Sequence, residues 1–452
     1  MPFYIAAALI LLYAGFVNLK KGFLLFFGFN LFLNTNITLL SVPGIPILAL
    51  EDVMILFFLL LSLLKGRKYS PRLSFPWTKP CIFLFFSYLI TAIFAAAGFG
   101  AEITGVIKNL LEKIIMLLLL WKFVEEEKDF KRAYRLLTVI FFISCVYALV
   151  EYALQMNPLT LYEQTLNHDP SKMANNIYRI SSARGYRVNS IFFHAIGAGC
   201  NWAMYVILTL YLFVRGEDKT LVNVFSLLTA GLSLLCVFLT KQRSPLIFLF
   251  VGVLSSLEFK KKRTYLLMVF AMLALLLIWP FIESYINIVL SIFDPSVNVG
   301  GSSLNMRIGQ FRAGYALMKE APLFGLGSKF ERVISNTYTE QILGMESIWL
   351  EAGLKYGILG LLCQLYFFFF QAITVPFFFK SRPMVWVVFA YWMTATVTST
   401  PGLNTALYFF ILSYMAKSSK KYRSYDEGIS LKEWNIQPFK SVYKYRKIYR
   451  LF

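Results

Sequence analysis

Long apolar stretches separated by short polar turns run through almost the whole chain. They fall near residues 2–18, 22–40, 45–64, 80–98, 104–124, 133–155, 189–214, 219–240, 244–257, 264–282, 346–379, 384–400 and 402–416. A helix that crosses the hydrocarbon layer needs about 20 predominantly apolar residues. The pattern therefore predicts an all-α polytopic integral membrane protein of about 12–13 transmembrane helices. Residues 5–17 have no basic segment before them and no small-residue cleavage site after them, so they read as a first span.

The polar turns carry a second regularity. Lys20-Lys21, the group from Lys65 to Lys79, the group from Lys122 to Arg135, Arg215/Lys219, Lys260 to Arg263 and Lys380/Arg382 each follow an odd-numbered segment. Basic loops stay in the cytoplasm. That rule puts these turns and the tail inside, and two long loops, 156–188 and 283–345, outside. Within the second loop Arg307, Phe311, Gly314, Tyr315 and Met318 recur at helical spacing and predict a short amphipathic helix. Four regions follow: N-terminal spans at 1–155, a core with both long loops at 156–365, C-terminal spans at 366–416, and a basic tail at 417–452.

Composition sharpens the class. Of 452 residues 58% are hydrophobic and 15% charged, against about half and a quarter in soluble domains. The length is taken up by spans, which excludes a soluble multidomain enzyme. The net charge of +20 sits in short loops between spans and argues for no nucleic-acid partner. Basic and aromatic residues mix in the tail (Trp434, Tyr443, Tyr445, Tyr449), which fits membrane lipids with anionic headgroups. Cys81, Cys145, Cys200, Cys236 and Cys363 all lie in apolar segments without a CxxC spacing, so they read as buried thiols. With His168 and His194 the only histidines, the sequence offers no metal centre and no cofactor motif.

Three outer stretches carry the polar chemistry. "RGYRVNSIFFHAIGAGCNWAM" (184–204) holds Arg184, Arg187 and His194. "FLTKQRSPLIFLF" (238–250) sets Lys241, Gln242 and Arg243 on a tight outward hairpin, against the positive-inside trend. "NMRIGQFRAGYALMKEAPLFGLGSKF" (305–330) adds Arg307 and Tyr315. Its Gly325-Leu326-Gly327 reads as a loop turn, because no strand precedes it as a phosphate cradle requires. Glu346 then opens the segment "GMESIWLEAGLKYGILG" (344–360), whose Gly353, Gly357 and Gly360 suit close helix packing. Each has a plain structural reading: Arg187 as a snorkelling flank residue, His194 as a packing hydrogen-bonder, Glu346 as a helix cap. Arginine's planar fork, however, pairs two diphosphate oxygens at once, and a nearby carboxylate accepts a proton from a sugar hydroxyl.

The order R-x-x-S-x-F-x-H (Arg187 to His194), then Q-R-S (from Gln242), then R…P-x-x-G-x-G (Arg307 to Gly327), closing on a polar pair, W-L and G-x-x-G, resembles the O-antigen ligase and O-antigen/exopolysaccharide polymerase superfamily over roughly 180–365. The resemblance implies a GT-C-like membrane glycosyltransferase that polymerises undecaprenyl-diphosphate-linked repeat units at the outer face of a bacterial cytoplasmic membrane. It implies no nucleotide sugar and, in the ligases, no metal. Donor and acceptor are both lipid-linked glycans, and a chain-length regulator and a flippase are implied as partners. Arg187 and Arg243 carry over with Glu346 as catalytic groups. Arg307 carries over as a substrate contact and is joined by Arg184, His194, Lys241, Gln242 and Tyr315. The family's ligases have a His-Asn pair where this chain has Glu346-Ser347, a departure that favours a polymerase over a ligase. A transporter is the alternative from another class. It would place ionisable groups at mid-span and show paired repeats around broken helices; here only Lys108, Glu112 and Lys113 sit at mid-span and no repeat is evident.

Overall fold

The computed structural model describes residues 2–31, 38–40, 48–65, 75–95, 98–166, 185–192, 194–215, 222–266, 268–269, 304–328, 330, 347–370, 372, 375–376, 381–398 and 404–419. Most of the segment at 264–282, much of the loop at 283–345 and nearly all of the tail lie outside these residues.

Helices dominate. The N-terminal group is α1 (Pro2–Val17), α2 (Leu19–Phe29) and α3 (Leu50–Leu64), with a small antiparallel ribbon, β1 (Thr38–Leu40) and β2 (Leu48–Ala49), between α2 and α3. Thr38 faces Ala49 and Leu40 faces Leu48. The apolar segment read at 22–40 is thus not one helix. Asn30 follows the last residue of α2, and Asn34, Asn36, Pro43, Gly44 and Pro46 all weaken helix beyond it.

Next come α4 (Thr78–Phe94) and α5 (Phe99–Asn109). The latter runs through a wider π-helical turn, Leu110–Ile115, into α6 (Met116–Phe123). After these stand α7 (Glu127–Leu154), α8 (Pro158–Leu166), α9 (Ala195–Arg215), α10 (Val224–Leu239) and α11 (Arg243–Val253). The chain closes with α12 (Leu304–Met318), α13 (Ile348–Phe369), α14 (Arg382–Thr396) and α15 (Thr405–Lys417).

Among the described residues α7, α9 and Ile348–Phe368 of α13 are long and apolar enough to cross a membrane. Ile5–Val17, Thr78–Phe94, Val224–Leu239 and Arg243–Ser256 are shorter apolar helices. The protein is an all-α membrane protein.

α9 lies at the centre. Its apolar residues cover all sides, as they do on a helix enclosed by others, and Trp202, Tyr205 and Leu208 are fully buried. Polar groups on it are matched across to α7. The Trp202 indole donates to Ser144 Oγ at 3.0 Å, Tyr205 donates to Thr138 Oγ1 at 3.0 Å, and Tyr134 donates to Thr209 Oγ1 at 3.1 Å. A Cβ on Gly199 of α9 would stand 2.6 Å from Pro245, so this glycine admits the first turn of α11. All five cysteines are free thiols, four of them buried and Cys363 partly so.

Candidate functional site

α10 ends at Leu239, and the chain reverses in three residues before α11 starts at Arg243. Thr240 N donates to Cys236 O and Lys241 N to Phe238 O. Lys241 takes the left-handed backbone conformation (φ 50°) that lets the turn close. Gln242 occupies the position before α11 without capping it through its side chain. Its Nε2 is buried and has no hydrogen-bond partner. Lys241 and Arg243 flank the start of α11, whose third residue, Pro245, carries no N–H. A helix start is the positive end of the dipole, where cations are disfavoured and an anion is held.

A second segment lies against it. A Cβ on Gly185 (φ 65°) would come 2.9 Å from the Lys241 ammonium, and Val188 N donates to Leu239 O at 3.3 Å. Glu151, near the end of α7, holds this segment from the other side. Its carboxylate accepts from the Tyr186 hydroxyl at 2.9 Å, from Asn189 N at 3.1 Å and from Ser190 N at 2.6 Å. Ser190, also left-handed (φ 53°), donates through Oγ to Ser144 O, and Asn157 donates to Ser190 O at 2.8 Å. Residues on both sides of Arg187 are therefore pinned.

Arg187 itself is not satisfied: its Nε is buried without a hydrogen-bond partner. Burial pulls its guanidinium below the ordinary arginine value and does the same to the Lys241 ammonium. Burial, with Glu151 beside it, pushes the Tyr186 hydroxyl above its usual value, so it stays a donor to that carboxylate. Cations that have lost water bind an anion more strongly than exposed ones.

His194 stands just before α9. Its Nδ1 accepts from Ile196 N at 3.0 Å, and Ala198 N donates to its carbonyl. An accepting Nδ1 leaves the proton of the neutral ring on Nε2.

Two of the remaining sequence candidates, Arg307 and Tyr315, are on α12. Arg307 lies in the first turns of α12, whereas Arg184 and Glu346 lie outside the described residues. Ser347 settles a local question nonetheless: it is the N-cap of α13, its Oγ accepting from Leu350 N. Capping of that helix therefore falls to the serine. The helix read in the outer loop is present as α12, but its buried face differs from the one the spacing suggested. Gln310, Ala313 and Leu317 face inward, while Phe311 and Tyr315 are 52% and 64% exposed. Lys319 sits over the Tyr315 ring at 4.6 Å. The spacing marks several faces of a short helix about equally, and contact with Leu350 and Leu354 selects one.

The glycines carry a second correction. α13 breaks at Gly357 (φ 65°, ψ −168°). In an unbroken helix the amides of Ile358 and Leu359 would bond the carbonyls of Leu354 and Lys355. Here the two amides donate to Pro322 O at 2.9 Å and Leu323 O at 3.3 Å, and the two carbonyls accept from Leu326 at 2.8 Å and Gly327 at 3.1 Å. A Cβ on Gly357 would lie 2.4 Å from the Leu323 backbone, and one on Gly325 would lie 2.5 Å from that of Gly357. The "APLFGLG" stretch is thus a main-chain clasp on a broken helix. Gly353 is the one of the three that serves helix packing, against Met318 of α12.

Glu151 was not among the residues the sequence singled out. The signal was a lone carboxylate near the end of "CVYALVEYAL", in an otherwise apolar span.

Residues 228–365 match the family model described as O-antigen ligase. The matched stretch contains the hairpin, α12 and the clasped part of α13. It supports the O-antigen ligase/polymerase superfamily, and with it an O-antigen ligase/polymerase-type, glycosyl-transferring function. No curated protein matches the chain.

Proposed function

We propose that this protein, whose residues 228–365 match the O-antigen ligase family model, is a membrane glycosyltransferase that polymerises undecaprenyl-diphosphate-linked repeat units at the outer face of the cytoplasmic membrane. One observation supports it most: Arg187 and the Lys241–Arg243 turn lie on adjoining segments at one helix start, with the Nε of Arg187 buried and unpaired. That is a socket for a diphosphate.

In the reaction the bond from the donor sugar's C1 to the diphosphate oxygen breaks, and a bond from C1 to an acceptor hydroxyl oxygen forms. Arg187 and Arg243 hold the charge gathering on the leaving diphosphate, assisted by Lys241. Arg307 and Arg184 extend the contact to phosphate or sugar. Glu346, one residue ahead of the α13 cap, takes the acceptor's proton. The carboxylate at a position where the family's ligases have a histidine favours polymerisation over transfer to a terminal acceptor.

The test uses purified protein in liposomes with lipid-linked repeat units. A ladder of lengthening products is expected. A single transfer onto an added terminal acceptor would make the protein a ligase. Movement of substrate across the bilayer without any new glycosidic bond would make it a transporter and overturn the proposal.

A further inference from the structure

The N-terminal helices carry ionisable groups that the proposed transfer does not use. Glu51 and Asp52 stand in the first turn of α3. Lys108, Glu112 and Lys113 lie half-way along the apolar segment at 104–124, where α5 gives way to the π-helical turn. α3 packs against that turn. Glu51 is within electrostatic reach of Glu112, Asp52 and Lys108, and Glu112 of Asp52, Lys108 and Lys113. Ionisable groups at membrane depth are costly to keep, and π turns gather at functional sites.

Charge does not balance here. Three carboxylates (Glu51, Asp52, Glu112) face two ammonium groups (Lys108, Lys113), and Lys113 is also bonded to the Tyr88 hydroxyl. The surrounding elements do not correct the surplus. α1 has no charged residue. At the far end of α2, Lys20 pairs with Asp129. Lys122 of α6 donates to Ser62 Oγ, and Lys417 of α15 donates to the carbonyls of Trp121 and Val124. Glu102, earlier on α5, accepts from Ser328 N. On α13 Glu351 and Lys355 are one of each sign, and Tyr356 accepts from Asn109 at 2.8 Å.

Two buried oxygens show what would restore the balance. Asp52 is fully buried; its Oδ2 accepts from Ala49 N at 2.9 Å, and its Oδ1 has no hydrogen-bond partner. Asn30, 5% exposed at the end of α2, is hydrogen-bonded to Glu51, yet its Oδ1 is also buried with no partner. Both oxygens are acceptors, and both ask for a hydrogen. A metal ion needs several ligands round one point, and among the described residues no three carboxylate, histidine or cysteine groups offer that. A proton needs one oxygen only. It cancels the surplus charge and turns a carboxylate into a donor.

Glu112 also supplies a route. It lines a cavity of about 230 Å³ together with Asn109, Lys113 and Gln364, polar and roomy enough for water. We propose that Glu51, Asp52 and Glu112 form a proton-binding site within the N-terminal helices, holding one shared proton that enters from the cavity through Glu112. A hydronium ion gives up that proton and leaves as water. The site does not depend on glycosyl transfer.

The probe is dicyclohexylcarbodiimide, which dissolves in the bilayer and reacts with a carboxyl only while it is protonated. The material is full-length protein in lipid nanodiscs, read by peptide mass spectrometry. Adducts are expected on Glu51 and Glu112, the two part-exposed carboxyls. Labelling at about pH 6 should fall roughly tenfold by about pH 10, as the proton leaves. Glu112→Gln leaves two carboxylates against two ammonium groups and should lower Glu51 labelling about tenfold. Lys108→Met raises the surplus to two negative charges and should raise labelling at high pH. A merely structural cluster would not move in both directions. Where a variant does not fold, the pH dependence of the natural protein decides. No adduct at either carboxyl would overturn the proposal, as would equal labelling at both pH values or in both folded variants. Protection by sodium chloride at fixed pH would also overturn it, making this a site for a metal cation.

Discussion

The hairpin junction and the α13 clasp are both places where the backbone leaves regular helix, yet they treat their polar groups in opposite ways. At the clasp the amides of Ile358 and Leu359 and the carbonyls of Leu354 and Lys355 find main-chain partners in residues 322–327. At the junction the backbone is equally well held, through Glu151 and Leu239 O, but buried side-chain nitrogens of Arg187 and Gln242 are left without partners. Unmet buried polar groups are costly. The contrast favours a scaffold role for the clasp and is what the proposed binding role of the junction rests on. Substitutions at the junction should therefore remove function and keep the fold, and those at the clasp should remove the fold.

The largest effect is expected just before α13. Glu346→Gln keeps shape and removes basicity, and should slow polymer formation about 10²- to 10⁴-fold, the usual contribution of a general base. Protein yield and donor binding should persist, because Ser347 holds the cap. Turnover like that of the natural protein would move the search for the base to His194.

Arg187→Lys and Arg243→Lys come next. Each keeps the charge and loses the fork, and each should lower turnover about 10²- to 10³-fold with an unchanged melting temperature. Normal-length polymer at normal expression would remove diphosphate recognition from these residues.

At the clasp the readout is stability. Gly357→Ala and Gly325→Ala combine positive φ with a backbone clash and should each cost more than about 4 kcal/mol, seen as lost yield or a sharply lowered melting temperature. Gly353→Ala meets only the flexible end of Met318 and should cost less than about 1 kcal/mol. Equal tolerance at all three positions would mean the clasp does not hold α13.

The smallest effect is expected at the anchor of the junction. Glu151→Gln turns one accepting oxygen into a donor facing Ser190 N or Asn189 N, at a cost of about 1–3 kcal/mol. Activity should fall further than stability alone explains, because the backbone around Arg187 loses its anchor. Full activity with only a lowered melting temperature would make Glu151 purely structural.

Much of this organisation was legible in the chain. Apolar length marks α7, α9 and α13, and the order of Arg187, Arg243 and Arg307 brings in the superfamily that residues 228–365 support. What stayed hidden depended on contacts distant in sequence. Gly357 reads like any helix-packing glycine until residues 322–327 are seen bonding around it. Glu151 reads as a stray charge until Tyr186, Asn189 and Ser190 converge on it from more than thirty residues away. The exposed ring of Tyr315 follows from which face of α12 meets Leu350, and periodicity alone does not choose that face.

The central claim is that Arg187 and Arg243 bind one diphosphate together. A double-mutant cycle on farnesyl diphosphate affinity, with Arg187→Lys, Arg243→Lys and the pair, tests it most directly. Each single change should weaken binding about tenfold or more, and the pair should weaken it by clearly less than the product, since a shared ligand couples the two sites. Farnesyl monophosphate should bind more weakly than the diphosphate and respond less to either change. Affinities unchanged by both substitutions, or equal for mono- and diphosphate, would contradict the account.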